Sequence, residues 1–434
     1  MIRNRDIIFI SSIDWDDNWQ APQELASRLS RAGNRVLYLE NTGVRAPALR
    51  DTRRILRRLK HWAGELRTRG MRQVLPDLWV HAPLVLPPFN AGLRDYLNRH
   101  LFLRLISGAS RRIGMRDPII WAFLPTNTSV ELIELLSSAG SKVIYYCAAD
   151  FSQLTTSHAQ LRRSEAQLLK RADVVFTICG ELADHCRRWN NNVHLAPYGV
   201  NLNAFPVSTE DSSTPLRAQP EGNWMTHSRT NGHRVVGYVG GLHRHVDVDM
   251  LVAMARARPG WSWVFVGSPE GHLKGLEQLP NVYLLGQREH HELAEYIREF
   301  DVCIVPYLRS AYTETVVPSK INEYLAMGKP VAATNLPPVR EFNDKHDILV
   351  TTEADPGSFL CAIERALKLG ENPVLNAQRR AVACRSDWEA RLESMSELIL
   401  TERDSNSEIH SSQISANAVP SDDGFIHRQI DSRS

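Results

Sequence analysis

Short apolar runs rich in β-branched residues punctuate the chain at residues 7–10, 36–39, 119–123, 143–147, 174–178 and 193–196. Between them, apolar residues fall at helical spacing, as at Leu25 and Leu29 ahead of Gly33 and at residues 130–136 ahead of Gly140. A second series opens near residue 233, with strands predicted at 235–239, 263–266, 282–285, 302–306 and 330–333. Helices are predicted near 247–258, 289–299 and 318–327. Near-continuous apolar strands alternating with helices belong in parallel sheets covered on both faces. The pattern therefore predicts an α/β fold of two Rossmann-like, doubly wound parallel-sheet domains facing a cleft. One helix-to-strand unit recurs, as Ala172-Asp173-Val174 and Phe300-Asp301-Val302, with the two Asp residues 128 apart.

The same pattern sets the domain limits. Residues 1–205 form the first domain and 233–384 the second. Residues 206–232, rich in Ser, Thr, Pro, Gly and Asn, read as a linker or long loop. At 385–402 a last helix carries Trp388, Leu392, Met395 and Ile399 on one face, so it must dock on something apolar, with the first domain as one expected place. Residues 403–434 are polar and read as a disordered tail.

Composition narrows the function classes. In 434 residues, 51 Lys+Arg against 49 Asp+Glu leave +2, which gives no argument for a nucleic-acid partner. None of the six cysteines has CxxC spacing, so neither a metal site nor a disulfide framework is signalled. No apolar stretch approaches the roughly 20 residues that span a bilayer. The charged start Met1–Asp6 leads to an apolar run that ends at Asp14 without a small-residue cleavage site, so it reads as a first buried strand. A cytoplasmic protein is expected.

The densest local signal is residues 318–334. Pro318 suits the first position of a helix, and the amides of Ser319, Lys320 and Ile321 would then point free along the helix dipole. Lys320 adds a cation at that end, as a phosphate requires. Glu323, three residues on, shares its face. A carboxylate so placed can accept both hydroxyls of a ribose. The alternative is an ordinary capped helix with a Lys320–Glu323 surface ion pair.

This segment resembles the donor-binding helix of the GT-B glycosyltransferases, the large retaining class that acts on nucleotide sugars. In closer detail the chain resembles the bacterial teichuronic-acid biosynthesis glycosyltransferases. Matching stretches include Ile13-Asp14-Trp15-Asp16, Trp19-Gln20-Ala21-Pro22-Gln23, Pro197-Tyr198-Gly199-Val200-Asn201 and Gly237-Tyr238-Val239-Gly240. The resemblance implies transfer of a sugar, with retention, from a nucleotide-sugar donor to a polysaccharide or polyprenyl-linked glycan acceptor in cell-surface polysaccharide synthesis. It implies that Glu323 grips the donor ribose. The family's first acid, separated from the second by seven intervening residues, falls on Thr315, with Glu314 one place off. Gly240, Gly241 and Arg244 would meet the diphosphate, with Ser319 and Lys320 adding amide and charge. Gly286 and Gln287 would lie at the base.

In the first domain, Trp15, Asp16 and Trp19 suit an acceptor sugar, with Asp14 and Asp150 as the acids nearest the chemistry. Capping of the next helix is the competing role for the loop acids. Relatives carry a histidine near 124–127 that is absent here, and acids in the Tyr145–Asp150 stretch of which only Asp150 is kept. The implied mechanism is a front-face displacement in which the leaving phosphate helps deprotonate the acceptor. It requires no cofactor, and a metal-independent enzyme is expected. A two-domain nucleotide-sugar epimerase and a non-catalytic nucleotide-sugar-binding protein remain the alternatives.

Residues 45–72 hold nine Arg and Lys60 against Asp51 and Glu65, a local excess of eight positive charges. Ile55, Leu56, Leu59, Trp62, Ala63 and Leu66 form one helical stripe within it. Such a helix suits the peripheral surface of an anionic membrane, or packing on the sheet with its arginines solvated.

Overall fold

A computed structural model of the chain describes residues 1–40, 71–82, 103–206 except 156, and 232–401 except 270–272 and 274, together with Met225 and Ser228. The first domain runs β1 (Asp6–Ile10), α1 (Ala21–Arg31), β2 (Arg35–Leu39), β3 (Met71–Leu75), β4 (Leu78–His81), α2 (Leu103–Arg112), β5 (Ile119–Ala122), α3 (Asn127–Leu136), β6 (Lys142–Cys147), α4 (His158–Arg171), β7 (Val174–Thr177), α5 (Gly180–Arg187) and β8 (Val193–Leu195). Its strands lie in the order β3-β4-β2-β1-β5-β6-β7-β8. All pairs are parallel except β3 with β4.

The second domain runs β9 (Arg234–Val239), α6 (Val248–Ala257), β10 (Trp261–Val266), β11 (Val282–Leu284), α7 (Leu293–Glu299), β12 (Val302–Val305), α8 (Lys320–Ala326), β13 (Val331–Thr334), α9 (Pro337–His346), β14 (Val350–Thr352), α10 (Pro356–Gly370) and α11 (Pro373–Arg385). Its parallel sheet has the order β11-β10-β9-β12-β13-β14, the strand order of dinucleotide-binding domains. Strands such as β1, β7, β12 and β13 are buried along their whole length, which is why they read as unbroken apolar runs.

Helix starts follow from capping chemistry. Asp247 accepts the amide of Met250 at 2.9 Å, and Asp355 that of Ser358 at 2.9 Å. The repeated aspartates also have a shared job. Asp173 accepts the Val143 amide at 2.7 Å and Asp301 the Val235 amide at 2.7 Å, each pinning the start of the neighbouring strand. They stand at different places in the two sheets, however. Asp173 precedes the second-last strand of its sheet, whereas Asp301 precedes the strand next to the domain's first. The 128-residue spacing therefore repeats a local device and not the domain register.

The halves meet at two adjacent chain crossings. Val200 donates its amide to Ser386 O at 2.8 Å, and Trp388 donates its amide to Val200 O at 3.1 Å. Gly199 sits under the Trp388 ring, where a Cβ would lie 2.7 Å from the indole. Val200 and Phe205 already belong to the second core, so the chain enters that domain earlier than the expected limit at 205. Helical residues 388–401 return to the first domain, and Trp388, Leu392, Met395 and Ile399 are buried in its core. Most of the linker at 206–232, the tail at 403–434 and residues 45–70 of the basic segment lie outside the described residues. Arg72 is not helical but part of β3. No described helix is long and apolar enough to cross a membrane.

Candidate active site

Each sheet reverses its strand order once, between β1 and β5 and between β9 and β12. Loops at the carboxyl ends of strands beside such a point form the ligand crevice of open α/β sheets. The predicted donor and acceptor loops stand at these two places.

On the donor side, three adjacent strand ends finish in glycines of positive φ: Gly240 at 117°, Gly267 at 155° and Gly286 at 71°. The Gly240 amide donates to Val266 O at 2.8 Å and the Gly267 amide to Gly286 O at 2.8 Å. A Cβ on Gly267 would collide with the Gly240 carbonyl. The result is a low backbone ledge without side chains.

Lys320 lies against this ledge. A Cβ on Gly240 would stand 2.7 Å from its Nζ. The ammonium donates to Tyr238 Oη at 2.7 Å and to Tyr307 Oη at 3.1 Å, and lies 4.0 Å from the Tyr238 ring centroid. Only 8% of the residue is exposed, and among the described residues no carboxylate pairs with it. Burying an ammonium without a compensating anion costs several kcal/mol.

Helix α8 begins with a tight turn in which Ile321 donates its amide to Pro318 O at 3.1 Å and Asn322 to Ser319 O at 3.1 Å. The Ile321 amide, expected free, is thus occupied, while the exposed Ser319 and its neighbour Lys320 lie within that turn. Arg244 is exposed, its Nε donating to His245 Nε2 at 3.2 Å. Gln287 is exposed, and its carbonyl accepts from Arg288 at 2.9 Å.

The Lys320–Glu323 ion pair does not form. Glu323 Oε1 instead lies 3.1 Å from His290 Nε2. Burial lowers the His290 pKa, but the hydrogen bond and charge of Glu323, with Glu24 behind them, raise it above its ordinary value. His290 opens a 3₁₀ turn, and its side chain is only 21% exposed. His243 was missed in the sequence. Its Nδ1 accepts the His245 amide at 3.2 Å, and burial, then the Lys320 charge, lower its pKa to about 3. It is a neutral imidazole beside the ammonium.

The first-domain loop is folded on itself. Buried Gln23 donates to the carbonyls of Asp14 at 3.2 Å and Asn18 at 3.4 Å. Asp14 is 7% exposed. Trp15 meets Tyr38 edge-on at 5.0 Å, Asp16 pairs with Arg72 at 2.6 Å, and Trp19 Nε1 donates to Glu24 at 2.6 Å. Asp150 caps its own turn, accepting from Ser152 Oγ at 2.6 Å and Gln153 at 3.1 Å. Burial raises its pKa, but these hydrogen bonds outweigh burial and leave it lowered.

The domains touch just behind the crevice. The Asp150 amide donates to Thr315 Oγ1 at 3.4 Å, and Cys179 Sγ to Thr315 O at 3.8 Å. Tyr312 packs on the cluster of Leu124, Ala149, Phe151 and Leu161, and stacks on His245 at 4.5 Å. Thr315, standing where relatives carry their first acid, therefore serves the contact between domains.

Residues 233–369 match the family model described as Glycosyl transferases group 1. That matched stretch contains every donor-side residue discussed above. Over 273 residues the chain is 28% identical to TuaH of Bacillus subtilis (strain 168), provisionally named a teichuronic acid biosynthesis glycosyltransferase. The match covers 58% of this chain and 66% of that protein, just under two thirds of its length. Two solved structures share the whole architecture. Sucrose-phosphate synthase of Thermosynechococcus elongatus superposes with TM-score 0.66 at 18% identity, over 92% of this chain and 100% of that one. HepE of Anabaena, solved with UDP and glucose, gives 0.61 at 15%, over 92% and 100%. At these identities the likeness is one of fold, and that fold is GT-B.

Proposed function

We propose that the chain is a glycosyltransferase that moves a sugar from a nucleotide-sugar donor to a polysaccharide or lipid-linked glycan acceptor. The observation that carries this reading is Lys320, a buried ammonium held by two phenols against a glycine ledge, in a group 1 glycosyltransferase domain. A donor diphosphate supplies the missing counter-charge there. Its charge grows as the sugar leaves, so a cation and amides already in place stabilise the transition state more than the ground state. Neutral His243 adds an uncharged hydrogen-bonding group at the same edge. This arrangement supports metal-independent transfer, with retention by a front-face displacement. Glu323 accepts the ribose hydroxyls, and the loop of Trp15, Asp16 and Trp19 with Asp14 faces the acceptor. Cell-surface polysaccharide synthesis is the setting this reading favours, since TuaH is named for such a pathway.

The test is a thermal-shift screen of nucleotides and UDP-, GDP- and dTDP-sugars, followed by transfer and hydrolysis assays. A nucleotide diphosphate is expected to raise the melting temperature, and Glu323→Ala to diminish that rise. An unchanged rise in Glu323→Ala discards this donor site, and epimer formation without an acceptor replaces transfer by epimerisation.

A further inference from the structure

Glu323 has two carboxylate oxygens and, as the proposed ribose acceptor, must present them at a fixed angle. A glutamate on a seven-residue helix has three rotatable bonds and no intrinsic reason to hold one rotamer. Its Oε1 is met by His290 Nε2 at 3.1 Å, from another element 33 residues away in sequence. The His290 ring is itself fixed. The turn that carries it is closed at both ends, because Glu289 donates its amide to Glu292 Oε2 at 3.0 Å in a reciprocal capping box. Its face meets fully buried Phe205 edge-on at 5.2 Å and 76°. Both side chains of the pair are mostly buried, 21% and 15% exposed, so water competes weakly for the contact. A carboxylate accepts about four hydrogen bonds. One to His290 therefore leaves Oε2 and a lone pair of Oε1 for two ribose hydroxyls.

We propose that His290 is a positioning residue: it locks Glu323 in the ribose-accepting rotamer and thereby makes the site select ribonucleotides over 2′-deoxyribonucleotides. The inference rests on the donor-site reading above. The charged groups that face His290 are Glu323 on α8 and Glu24 on α1 of the first domain. Both favour the imidazolium, which donates to a carboxylate more strongly than the neutral ring. Selectivity is therefore greatest below the elevated pKa of His290 and declines as pH rises through it.

Calorimetry on the full chain with UDP, GDP and ADP, each beside its 2′-deoxy counterpart, tests this. A charge-assisted hydrogen bond to the 2′-hydroxyl is worth about ten-fold or more in affinity, so the best-bound ribonucleotide should exceed its deoxy form by that factor. His290→Ala should weaken the ribonucleotide about ten-fold and move the deoxy form less than about two-fold. His290→Gln, which keeps an N–H donor, should restore most of the ratio and make it independent of pH. Glu323→Ala should bring the ratio to unity. If Glu323→Ala erases the ratio and His290→Ala leaves it intact, the positioning role is overturned while the donor site stands. Equal weakening of both forms by His290→Ala, with a lowered melting temperature, shows a merely structural histidine and also overturns it. Failure of every diphosphate to bind, or indifference to Glu323→Ala, overturns the donor-site reading itself.

Discussion

Lys320 gives a prediction in which stability and function part. It is buried against two phenols without a carboxylate among the described residues, so the resting protein bears the cost of desolvating it. Lys320→Met keeps the length and removes the charge. The melting temperature should stay the same or rise by a few degrees, because an uncompensated ion has been exchanged for an apolar chain. Binding of a nucleoside diphosphate should fall about 100-fold, since both the ammonium and its hydrogen bonds are gone. Differential scanning calorimetry and titration calorimetry on one preparation check both signs. Lys320 and Glu323 were legible in the sequence, because Pro318 and the i, i+3 spacing put a cation and a carboxylate near one helix start. Their real partners were not. Tyr238 and Tyr307 stand 82 and 13 residues from Lys320, and His290 stands 33 from Glu323. Only the closing of the sheet brings them together. Tyr238 did leave a faint sign, as a hydroxyl-bearing residue in an otherwise apolar strand.

At the scale of elements, strand ends decide where a ligand can approach. Gly267 is the tightest point of the ledge, its own nitrogen on Gly286 O and its missing Cβ facing the Gly240 carbonyl. Gly267→Ala should cost about 2 kcal/mol or more, through a forced shift of β10 against β9. Gly260, in the turn before β10, has nothing within 4 Å of an added Cβ, so Gly260→Ala should stay within about 0.5 kcal/mol of wild type. Urea unfolding of the two variants makes the comparison. Fully buried strands were legible from their unbroken apolar runs. The β3–β4 pair was not, because Met71–Leu75 is only partly buried and carries Arg72 and Gln73. It had a turn signal in Pro76-Asp77, where Asp77 adopts φ 58°, but a basic helical stripe upstream took precedence. Strand β14 carries Thr351 and Thr352 after Val350 and is buried only at Val350, so no apolar run marks its length.

At the scale of the molecule, the two-domain plan was legible because each half repeats the same grammar of strands and helices. The limits between halves were less so, since the crossing at Tyr198–Val200 is itself apolar and reads as continuous with what precedes it. Trp388 seals that crossing from the other side. Trp388→Ala should destabilise the first domain by about 3–5 kcal/mol. Faster hydrogen exchange should then appear at amides of β6, beside which Ile399 O accepts from Lys142 at 2.5 Å, and not at those of β13. The returning helix also imposes an order of events. The second core draws on residues between Val200 and Ala383, one uninterrupted stretch, whereas the first core needs both Ile2 and Ile399. During synthesis the second domain can therefore be complete while the first still lacks its last helix. The half of the molecule that leaves the ribosome first is the half that finishes folding last, and until then its unsealed apolar surface is what chaperones meet.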